Sequence, residues 1–454
     1  MDTKCKCEQL EFQGFGRRKI IIKNDGKMNT TDAGYLLLQQ IEQKYGIINR
    51  LSNCFSDKRE QYRVKHSVIG LLKQRIFGIC QGYEDLNDHD NLRDDPLLQY
   101  ICGKEGKSPV AGKSTLNRLE LGMEPDEIEG DRYSKITWDE EQIEELLCDL
   151  FLDSFTEKPE SMILDFDATD IPIHGDQAYK FFHGYYDHYC YLPLYVFCGD
   201  FPLAAMLRPS NIDACEGTEA ILKRLVKRIR AKYPDVQIIF RGDSGFCRDG
   251  ILSLCETLQI NYVVGMARNH RLLDNIAWQM VEAARVCRQT KQPARIFSRF
   301  FYRTVNSWSC ERQVVAKAEH LPKGQNPRFI VTNISFQEWD DKSLYEQLYC
   351  GRGDMENRIK EQQLDLFADR ISSWWMSSNQ LRLWFSAFAY IFFVHLQQMI
   401  QEATGDETRK MPSTIRLKIL KVSAVVRITF RNVWVSLPES FPYWDIWIKL
   451  PDNF

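Results

Sequence analysis

The chain has 454 residues and a formal net charge of −3, and 44% of its residues are hydrophobic and 12% aromatic. This composition excludes a disordered protein, because a chain this rich in apolar side chains can bury enough of them to fold. The length favours two or three folded units over a single core.

The basic residues are concentrated in three windows, although the whole chain is near neutral. Residues 409–431 contain seven Lys or Arg and no acid, residues 223–232 contain six and no acid, and residues 268–317 contain ten against three acids. Such windows can neutralise DNA phosphates even without a positive net charge. They are also typical of solvated helix faces, and the sequence leaves both interpretations open.

Neither the cysteines nor the apolar segments indicate a secreted or membrane protein. The 14 cysteines are scattered singly without a C-x-x-C pair, which favours reduced thiols in a cytoplasmic protein. The strongest apolar run, Leu383–Val394, has 12 residues, whereas a membrane-spanning helix needs about 20. We therefore predict a buried helix there and expect no membrane partner.

Residues 1–155 have the pattern of a mostly helical region. Apolar residues at helical spacing predict helices over residues 32–45, about 58–80 and 139–153. Asp32 and Gly46 are the expected cap and stop of the first of these helices. Between them and the last helix, Asp85–Pro96 is predicted to be an acidic connector rich in turn residues.

At Ser161 the pattern changes from helical to extended. Short runs rich in apolar residues predict strands, and an amphipathic run predicts a helix. The predicted elements are strands at 161–173, 179–186, 192–198 and 202–207, a helix at 218–232, the strand VQIIF, a helix at about 250–258 and the strand NYVVGMA. Antiparallel strands followed by strand–helix–strand units indicate an α/β fold with a mixed sheet.

Residues 268–338 interrupt this alternation. Their centre, Arg295–Ala318, is rich in strand formers, and a long helical segment begins near Ser343. We therefore expect a core in two parts, residues 156–267 and 339–404, separated by a β-rich insertion. A basic C-terminal region follows at residues 405–454.

Two aspartates stand where charged groups are costly. Asp167 lies inside an apolar predicted strand with Asp165 on the same side, and Asp243 follows the strand VQIIF. A buried carboxylate needs a partner, and strand ends are where sites form in open sheets. Two such carboxylates repel each other unless a cation lies between them, which favours a magnesium site. Each aspartate alone is also typical of a turn or a helix cap.

A third candidate carboxylate lies in the segment YCGRGDMENRIKEQQ. At about 100° per residue, Tyr349, Arg352, Glu356 and Gln363 share one helix face, beside a separate apolar stripe. Such a helix could pack against a core while lining a site with a phenol, a guanidinium and a carboxylate. A merely solvated face is the alternative, and the two glycines of the segment are poor helix formers.

The segments DFDATD, RGDSGF and YCGRGDMENRIKE together resemble the DDE transposases of bacterial insertion sequences. The last segment is similar to the branch with a Y-x2-R-x3-E-x6-K signature, in particular the insertion sequence 1380 family. The resemblance extends from about Thr30 to Leu450 and includes GYEDLNDHDNLRDDP, LRPSN and NPRFIVTNI. It implies an RNase H-like catalytic core, preceded by a helical DNA-binding region.

The resemblance implies that Asp167, Asp243 and Glu356 are catalytic acids that hold two Mg²⁺ ions, which Mn²⁺ can replace. The implied reaction is phosphoryl transfer, in which double-stranded DNA is cut at terminal inverted repeats and the freed 3′-OH attacks target DNA. Residues 1–155 are the expected readers of the repeats. Pairing two ends implies a homodimer on DNA, in a bacterial cytoplasmic protein that is nucleoid-associated when bound.

The signature residues around Glu356 are the implied phosphate contacts. Tyr349 and Arg352 occupy the tyrosine and arginine positions. The signature lysine falls at Gln363, which puts that contact in doubt, and Lys360, one turn after Glu356, is the candidate substitute.

In related transposases the insertion helps to distort DNA near the cut, so Trp308 and Arg312 are candidate DNA contacts. An aromatic ring can stack on an unpaired base, but Trp308 is also typical of a strand core. Two other functions stay open. One is a different RNase H-like nuclease or resolvase, which shares the metal site without the joining step. The other is a non-catalytic DNA-binding protein derived from a transposase.

Overall fold

The computed structural model describes residues 9–12, 20–23, 28–104, 108–121 and 135–450, so the predicted region 1–155 lies partly outside the described residues. The α-helices are α1 (Tyr35–Tyr45), α2 (Ile47–Ser52), α3 (Val68–Gln81), α4 (Asp88–Leu92), α5 (Pro96–Ile101), α6 (Lys113–Glu120), α7 (Glu140–Asp153), α8 (Thr218–Lys232), α9 (Asp249–Thr257), α10 (His270–Asn275), α11 (Ala277–Thr290), α12 (Asp341–Ser343), α13 (Gly353–Lys360), α14 (Met376–Thr404), α15 (Pro412–Ile415) and α16 (Trp444–Trp447).

The strands are β1 (Gln9–Phe12), β2 (Ile20–Lys23), β3 (Asn29–Thr30), β4 (Phe55–Asp57), β5 (Ile136–Trp138), β6 (Ser161–Ala168), β7 (Ile171–Pro172), β8 (Phe181–His183), β9 (His188–Tyr191), β10 (Leu194–Cys198), β11 (Phe201–Met206), β12 (Gln237–Gly242), β13 (Asn261–Met266), β14 (Ala294–Tyr302), β15 (Arg312–Leu321), β16 (Gly324–Gln325), β17 (Arg328–Thr332), β18 (Ala424–Ile428) and β19 (Val433–Ser436).

The chain divides into two compact units that are not continuous in sequence. The first unit combines Met1–Ile48, Arg59–Leu119 and His395–Phe454. The second unit combines Asn49–Lys58 and Glu120–Val394. All the residues predicted to carry chemistry belong to the second unit.

Helix ends in the first unit follow local signals only in part. Helix α1 ends at Gly46, whose left-handed backbone (φ 61°) closes the helix as predicted. The predicted cap by Asp32 is wrong, because α1 begins at Tyr35 without a side-chain cap. Asp32 is instead fully buried and forms an ion pair of 2.8 Å with Lys421. A partner nearly four hundred positions away therefore outweighs the local capping signal.

Two further helix predictions differ at their boundaries. The helix predicted from about Lys58 begins only at Val68, where the Ser67 hydroxyl accepts a hydrogen bond from the Gly70 amide. The acidic connector contains the short helix α4, and Asp95 caps α5 with Pro96 in its first turn. Helix α7 begins one residue later than predicted, after Asp139, whose side chain caps it by accepting a hydrogen bond from the Gln142 amide.

A large mixed sheet forms the centre of the second unit. Its strand order is β11-β10-β6-β12-β13-β17-β15-β14, and β16 pairs with β15. Strand β6 is antiparallel to β10 and parallel to β12, and β12 is parallel to β13. Strands β17, β15 and β14 continue the same sheet in antiparallel pairs. The predicted mixed α/β class is therefore confirmed.

Strand β6 has two different faces because its side chains alternate. Met162, Leu164 and Phe166 lie on one face and are buried, and the Phe166 ring lies 4.8 Å from that of Phe240. The other face carries Ile163, then Asp165 and Asp167. A buried cluster that includes Ile239, Val263, Leu344 and Leu348 packs with Ile163 on this side. This second face of β6 is therefore apolar at Ile163 and polar from Asp165 to Asp167.

Helices α7 and α8 pack against each other with complementary charges. Arg224 pairs with Glu144, and Lys232 pairs with Asp153 at 2.6 Å. Arg228 pairs with Asp149 through two hydrogen bonds, the longer of them 2.7 Å. Three of the six basic residues in the window 223–232 thus form a ladder of ion pairs between the two helices.

One described helix, α14, is long and apolar enough to cross a membrane by length and composition alone. Its most apolar window is 94% buried inside the protein, and a single such helix is weak evidence for a membrane span. The run Leu383–Val394 lies within α14, and each of its apolar side chains is buried. The predicted buried helix is confirmed.

Candidate active site

Asp167 and Asp243 lie at the same end of two neighbouring parallel strands. In the register of β6 and β12, Gly242 is opposite Phe166, so the next residues along the two strands are Asp243 and Asp167. The Asp243 carboxylate accepts a hydrogen bond of 2.8 Å from the Gly245 amide. The Asp167 carboxylate accepts one of 3.1 Å from the backbone amide that follows it. The sheet register therefore places both carboxylates at one edge.

Glu356 reaches this edge from a segment more than one hundred residues later. Arg352 connects the two: its Nη1 donates to Asp167 Oδ2 at 3.2 Å, and its Nη2 donates to Glu356 Oε1 at 2.8 Å. Because a single guanidinium contacts both carboxylates, Asp167 and Glu356 must be close together. The structure thus brings Asp167, Asp243 and Glu356 into one cluster.

The segment that carries Glu356 is not a uniform α-helix. After α12 it forms a π-helical stretch, Leu344–Tyr349, then a 3-10 turn, Cys350–Arg352, before α13 begins. The predicted single α-helical face is therefore wrong in detail. A π-helical turn rotates the chain less per residue than an α-helix, and a 3-10 turn rotates it more. The two deviations largely cancel, so Tyr349, Arg352 and Glu356 still approach the same site.

A buried ion pair holds this helical segment on the sheet. Arg241, on β12, donates from Nε and Nη2 to the two carboxylate oxygens of Asp165, the second bond being 2.7 Å. Its remaining nitrogen, Nη1, donates to the backbone carbonyl of Leu348. A Cβ on Gly351 would lie 2.8 Å from the Arg241 guanidinium. A side chain at position 351 would therefore force the Arg241 guanidinium to shift from its contacts with Asp165 and Leu348.

Tyr349 lies against the backbone that carries Asp243. A Cβ on Gly265 would lie 2.5 Å from the Tyr349 hydroxyl oxygen and 3.0 Å from the Ser244 amide nitrogen. Only a residue without a side chain allows the phenol to lie over the end of β13. Burial is the main cause that raises the pKa of Tyr349, and the charge of Asp243 adds to it. The Tyr349 hydroxyl is therefore a neutral hydrogen-bonding group at this site.

The cluster is electrostatically strained. Burial, together with the negative charges of Asp243 and Glu356, raises the pKa of Asp167 to about 7, although Arg352 opposes the shift. Burial favours loss of the proton from Arg352, but Asp167 and Glu356 outweigh it and raise the pKa of the guanidinium. One arginine therefore compensates only part of the carboxylate charge, and the site favours additional positive charge.

The remaining residues of this helical segment have distinct positions. Lys360 is exposed, one turn after Glu356, and has no carboxylate partner among the described residues. The Gln363 side chain donates to the backbone carbonyl of Asp170 at 3.2 Å. Gln363 thus links the segment to the chain that leaves β6, three residues after Asp167.

The structure does not bring Trp308 and Arg312 to this cluster. Trp308 is only 4% exposed and packs edge-on against Tyr302. Arg312 is buried and pairs with Asp249 and Glu256 at 2.7 Å each. Both are engaged inside the protein: Tyr302 on β14 packs against Trp308, and acids of α9 pair with Arg312.

A polar cavity of about 410 Å³ adjoins the cluster. It is lined by Ser244, Gly265, Met266, Ala267, Arg268, Asn326, Pro327, Arg328, Phe329, Tyr345 and Tyr349. Arg268 and Arg328 are exposed, and neither forms an ion pair with any described residue. The sequence analysis did not predict that these two arginines lie near Asp243. About sixty residues with several helices and strands separate Arg268 from Arg328, so no local pattern connects them.

The three carboxylates have the chemistry of a metal-ligand set, but not its geometry. Carboxylate oxygens suit Mg²⁺ and Mn²⁺, and the charge imbalance at Asp167 fits a cation. Among the described residues, however, no three His, Cys, Asp or Glu side chains are already arranged around a common point. The Arg352 guanidinium lies between Asp167 and Glu356 instead. The donor chemistry fits the ion, and its coordination would require Arg352 to move.

Sequence reasoning missed two positioning residues, Asp165 and Arg241, as a pair. The available signal was that Asp165 shares a strand face with Asp167, while Arg241 precedes Asp243 by the same two positions. Parallel pairing of the two strands then places the arginine opposite the aspartate.

Comparison with known families gives one match over nearly the whole chain. The family model described as transposase DDE domain group 1 matches residues 12–454. No curated protein matches the chain.

Proposed function

The chain belongs to the transposase DDE domain group 1 family, and from that premise we propose that it is the transposase of a bacterial insertion sequence. It cuts double-stranded DNA at the terminal inverted repeats of the element and joins the freed ends to target DNA. Its Tyr349, Arg352 and Glu356 fit the insertion sequence 1380 branch, from which Gln363 departs. The observation that carries the proposal is the approach of Asp167, Asp243 and Glu356 from three separate elements.

The strand arrangement supports an RNase H-like core. Strands β11, β10 and β6 form an antiparallel edge, and β12 and β13 follow β6 in parallel. In chain order, the first of these strands, β6, carries Asp167, and the fourth, β12, is followed directly by Asp243. Sites at the ends of adjacent parallel strands are typical of α/β sheets, because side chains from two strands converge there.

Transposases of this type generally use divalent metal ions, and Asp167, Asp243 and Glu356 are the proposed ligands. When bound, two Mg²⁺ or Mn²⁺ ions polarise the attacking oxygen and stabilise the leaving 3′-oxygen. Asp167 must lose its proton to act as a ligand, and its raised pKa makes this loss dependent on the approach of positive charge. Glu356 is more exposed than Asp167 and can adjust its position.

Arg352 is proposed to exchange partners when DNA binds. Its guanidinium now shares its donors between Asp167 and Glu356. A phosphate group offers the same bidentate geometry, so DNA can take Arg352 while the cations take the carboxylates. Tyr349 and Lys360 flank this position and supply a neutral donor and a mobile positive charge.

The partner is proposed to be double-stranded DNA, bound as two ends by a homodimer. Residues 1–155 are proposed to read the terminal repeats. Arg268 and Arg328, beside Asp243, offer two further cations to the phosphates of the same strand.

The test uses Glu356→Gln and linear duplexes that carry the inverted repeat flanking the gene. In Mg²⁺, the wild-type protein should cut the duplex at the end of the repeat and join pre-cut ends to a plasmid. Glu356→Gln should lower both rates on the order of a thousandfold or more, since a metal ligand is lost. Its affinity for the uncut duplex should remain measurable by gel shift.

The matched control is Asp354→Asn, which removes one carboxylate charge from the same helix two residues earlier. This variant should retain cutting and joining. If Glu356→Gln cleaves DNA as fast as the wild type, Glu356 is not a catalytic residue. Cutting without joining by the wild type indicates a nuclease or resolvase instead.

A further inference from the structure

An aromatic hairpin of the second unit follows shortly after the strand that carries Asp167. Strands β8 and β9 pair with Phe182 opposite Tyr189, and a four-residue turn, Gly184–Asp187, connects them. Tyr185 at the turn is 85% exposed, Phe182 53% and Tyr189 51%. These three residues are called the aromatic tip below.

The exposure of the aromatic tip is not a result of poor packing of the hairpin. Tyr191 and Cys190, on the same strand as Tyr189, are fully buried. The Ser210 hydroxyl donates to the Phe181 carbonyl at 2.9 Å. The rings of Phe182 and Tyr189 lie 5.7 Å apart, edge to face. A well-anchored hairpin thus holds large rings in solvent, which is typical of an interaction surface.

The hairpin is tied to the strand that carries Asp167. The chain leaves β6 at Ala168 and enters β7, which pairs with β9. The His188 ring nitrogen lies 2.7 Å from the Asp170 carboxylate, and Gln363 donates to the Asp170 backbone. Burial, followed by the charges of Asp170 and Asp167, raises the pKa of Tyr186 to about 12. The turn therefore lies within electrostatic range of the proposed catalytic centre.

The position of the aromatic tip indicates which kind of molecule binds to it. A second copy of the chain covering these rings would sit against the edge where DNA must enter. An aromatic face instead matches a nucleobase, because every base offers a flat ring to stack on. Base pairs next to a cut are also those that a nuclease gains most from opening, since an opened end gives access to the scissile phosphodiester.

We propose that the aromatic tip stacks on unpaired nucleobases of the DNA end held beside Asp167, and so keeps the end open during cleavage. The inference rests on the proposed function, since it needs a DNA end at this site. It assigns this stacking contact to Phe182, Tyr185 and Tyr189.

The experiment compares two double variants, Tyr185→Ala with Tyr189→Ala, and Tyr185→Phe with Tyr189→Phe. Each is assayed in Mg²⁺ on a fully paired repeat-end duplex and on one with mismatches at the terminal base pairs. Loss of stacking should slow cutting of the paired end on the order of tenfold or more. On the mismatched end, the alanine variant should cut at a rate within about threefold of the wild type, because the terminal base pairs are already open.

The phenylalanine variant should cut both ends at the wild-type rate, since it keeps the rings. Trp278→Ala, which removes a 71% exposed ring elsewhere in the unit, should do the same. 2-Aminopurine at the terminal position should change fluorescence on binding to the wild type and not to the alanine variant.

The outcomes separate the two proposals. If the wild type cuts neither duplex, the proposed function fails. If it cuts and the alanine variant cuts the paired end equally well, the aromatic tip has no role in opening. Equal slowing on paired and mismatched ends, or a change of oligomeric state on size-exclusion chromatography, also overturns the stacking role.

Discussion

Two basic regions of the second unit look similar in sequence and differ in structure. Helix α8 carries Arg224, Arg228 and Lys232, and each of these pairs with an acid of the α7 helix or its end. The cavity beside Asp243 has Arg268 and Arg328, which form no ion pair among the described residues. Three of the six basic residues in the window 223–232 are therefore already paired with acids, whereas neither arginine of the cavity is.

This difference shows that the positive charge a basic region presents to solvent depends on whether acids from distant parts of the chain pair with it. Residues 140–153 neutralise the α8 face, and in the window 268–317 Arg295, Arg299 and Arg312 are likewise paired with acids. A phosphate attracted to such a surface must displace a carboxylate first. The cavity, whose Arg268 and Arg328 form no ion pair with a described residue, is the better candidate for DNA contact.

The largest expected effect concerns the buried pair that positions the site. Arg241→Met leaves Asp165 buried without a partner, and should lower the free energy of unfolding by about 3–5 kcal/mol. The surface counterpart Arg228→Met should lower it by at most about 1 kcal/mol, since solvent already screens that pair. Urea denaturation measures both.

Adding Asp165→Leu to Arg241→Met should recover part of the lost free energy of unfolding, because no unpaired charge then stays buried. Cleavage should remain impaired in the double variant, since the Leu348 carbonyl has lost its donor. An equal effect of Arg241→Met and Arg228→Met on unfolding contradicts the distinction between the two regions.

A smaller effect is expected on DNA binding. The double variant Arg268→Ala with Arg328→Ala should weaken binding to the repeat-end duplex and reduce the slope of log affinity against log salt by roughly 0.9 per lost phosphate contact. The double variant Arg228→Ala with Lys232→Ala should leave that slope unchanged, because those charges are already paired. Gel shifts at several salt concentrations report the slopes, and equal slopes for the two variants contradict the proposed contrast.

The smallest expected effect is a pH-dependent gain of stability. The folded-state pKa of Asp167 is about 7, above its usual value of 3.8, so the metal-free protein loses stability as pH rises from about 4 to about 7. Asp167→Asn removes this loss and should raise the Tm in EDTA by roughly a few degrees at pH 8. The gain should be smaller at pH 5.

The control for this measurement is Asp149→Asn in the α7–α8 ladder, which removes a paired carboxylate. It should lower the Tm slightly at both pH values. A Tm gain for Asp167→Asn that does not grow between pH 5 and pH 8 shows that the carboxylate is not destabilised by its neighbours.

The sequence alone predicted the elements that local patterns control. Alternation and helical spacing placed β6, β12, α7 and α8 close to their observed bounds, because burial of one face leaves a periodic trace. Asp167, Asp243 and Glu356 were local candidates because each is a charge at an apolar strand or on a helix face, but only the family resemblance selected the three as a set. The family was recognisable from those motifs together.

Only the tertiary structure decided which side chains meet. The pair of Asp165 with Arg241, the sharing of Arg352 between two carboxylates and the burial of Trp308 all depend on contacts between distant positions. So does the exposure of the aromatic tip, since its rings alternate with buried neighbours on a short hairpin. Ion pairing and burial are set by the sheet register and helix packing, which no local window of sequence contains.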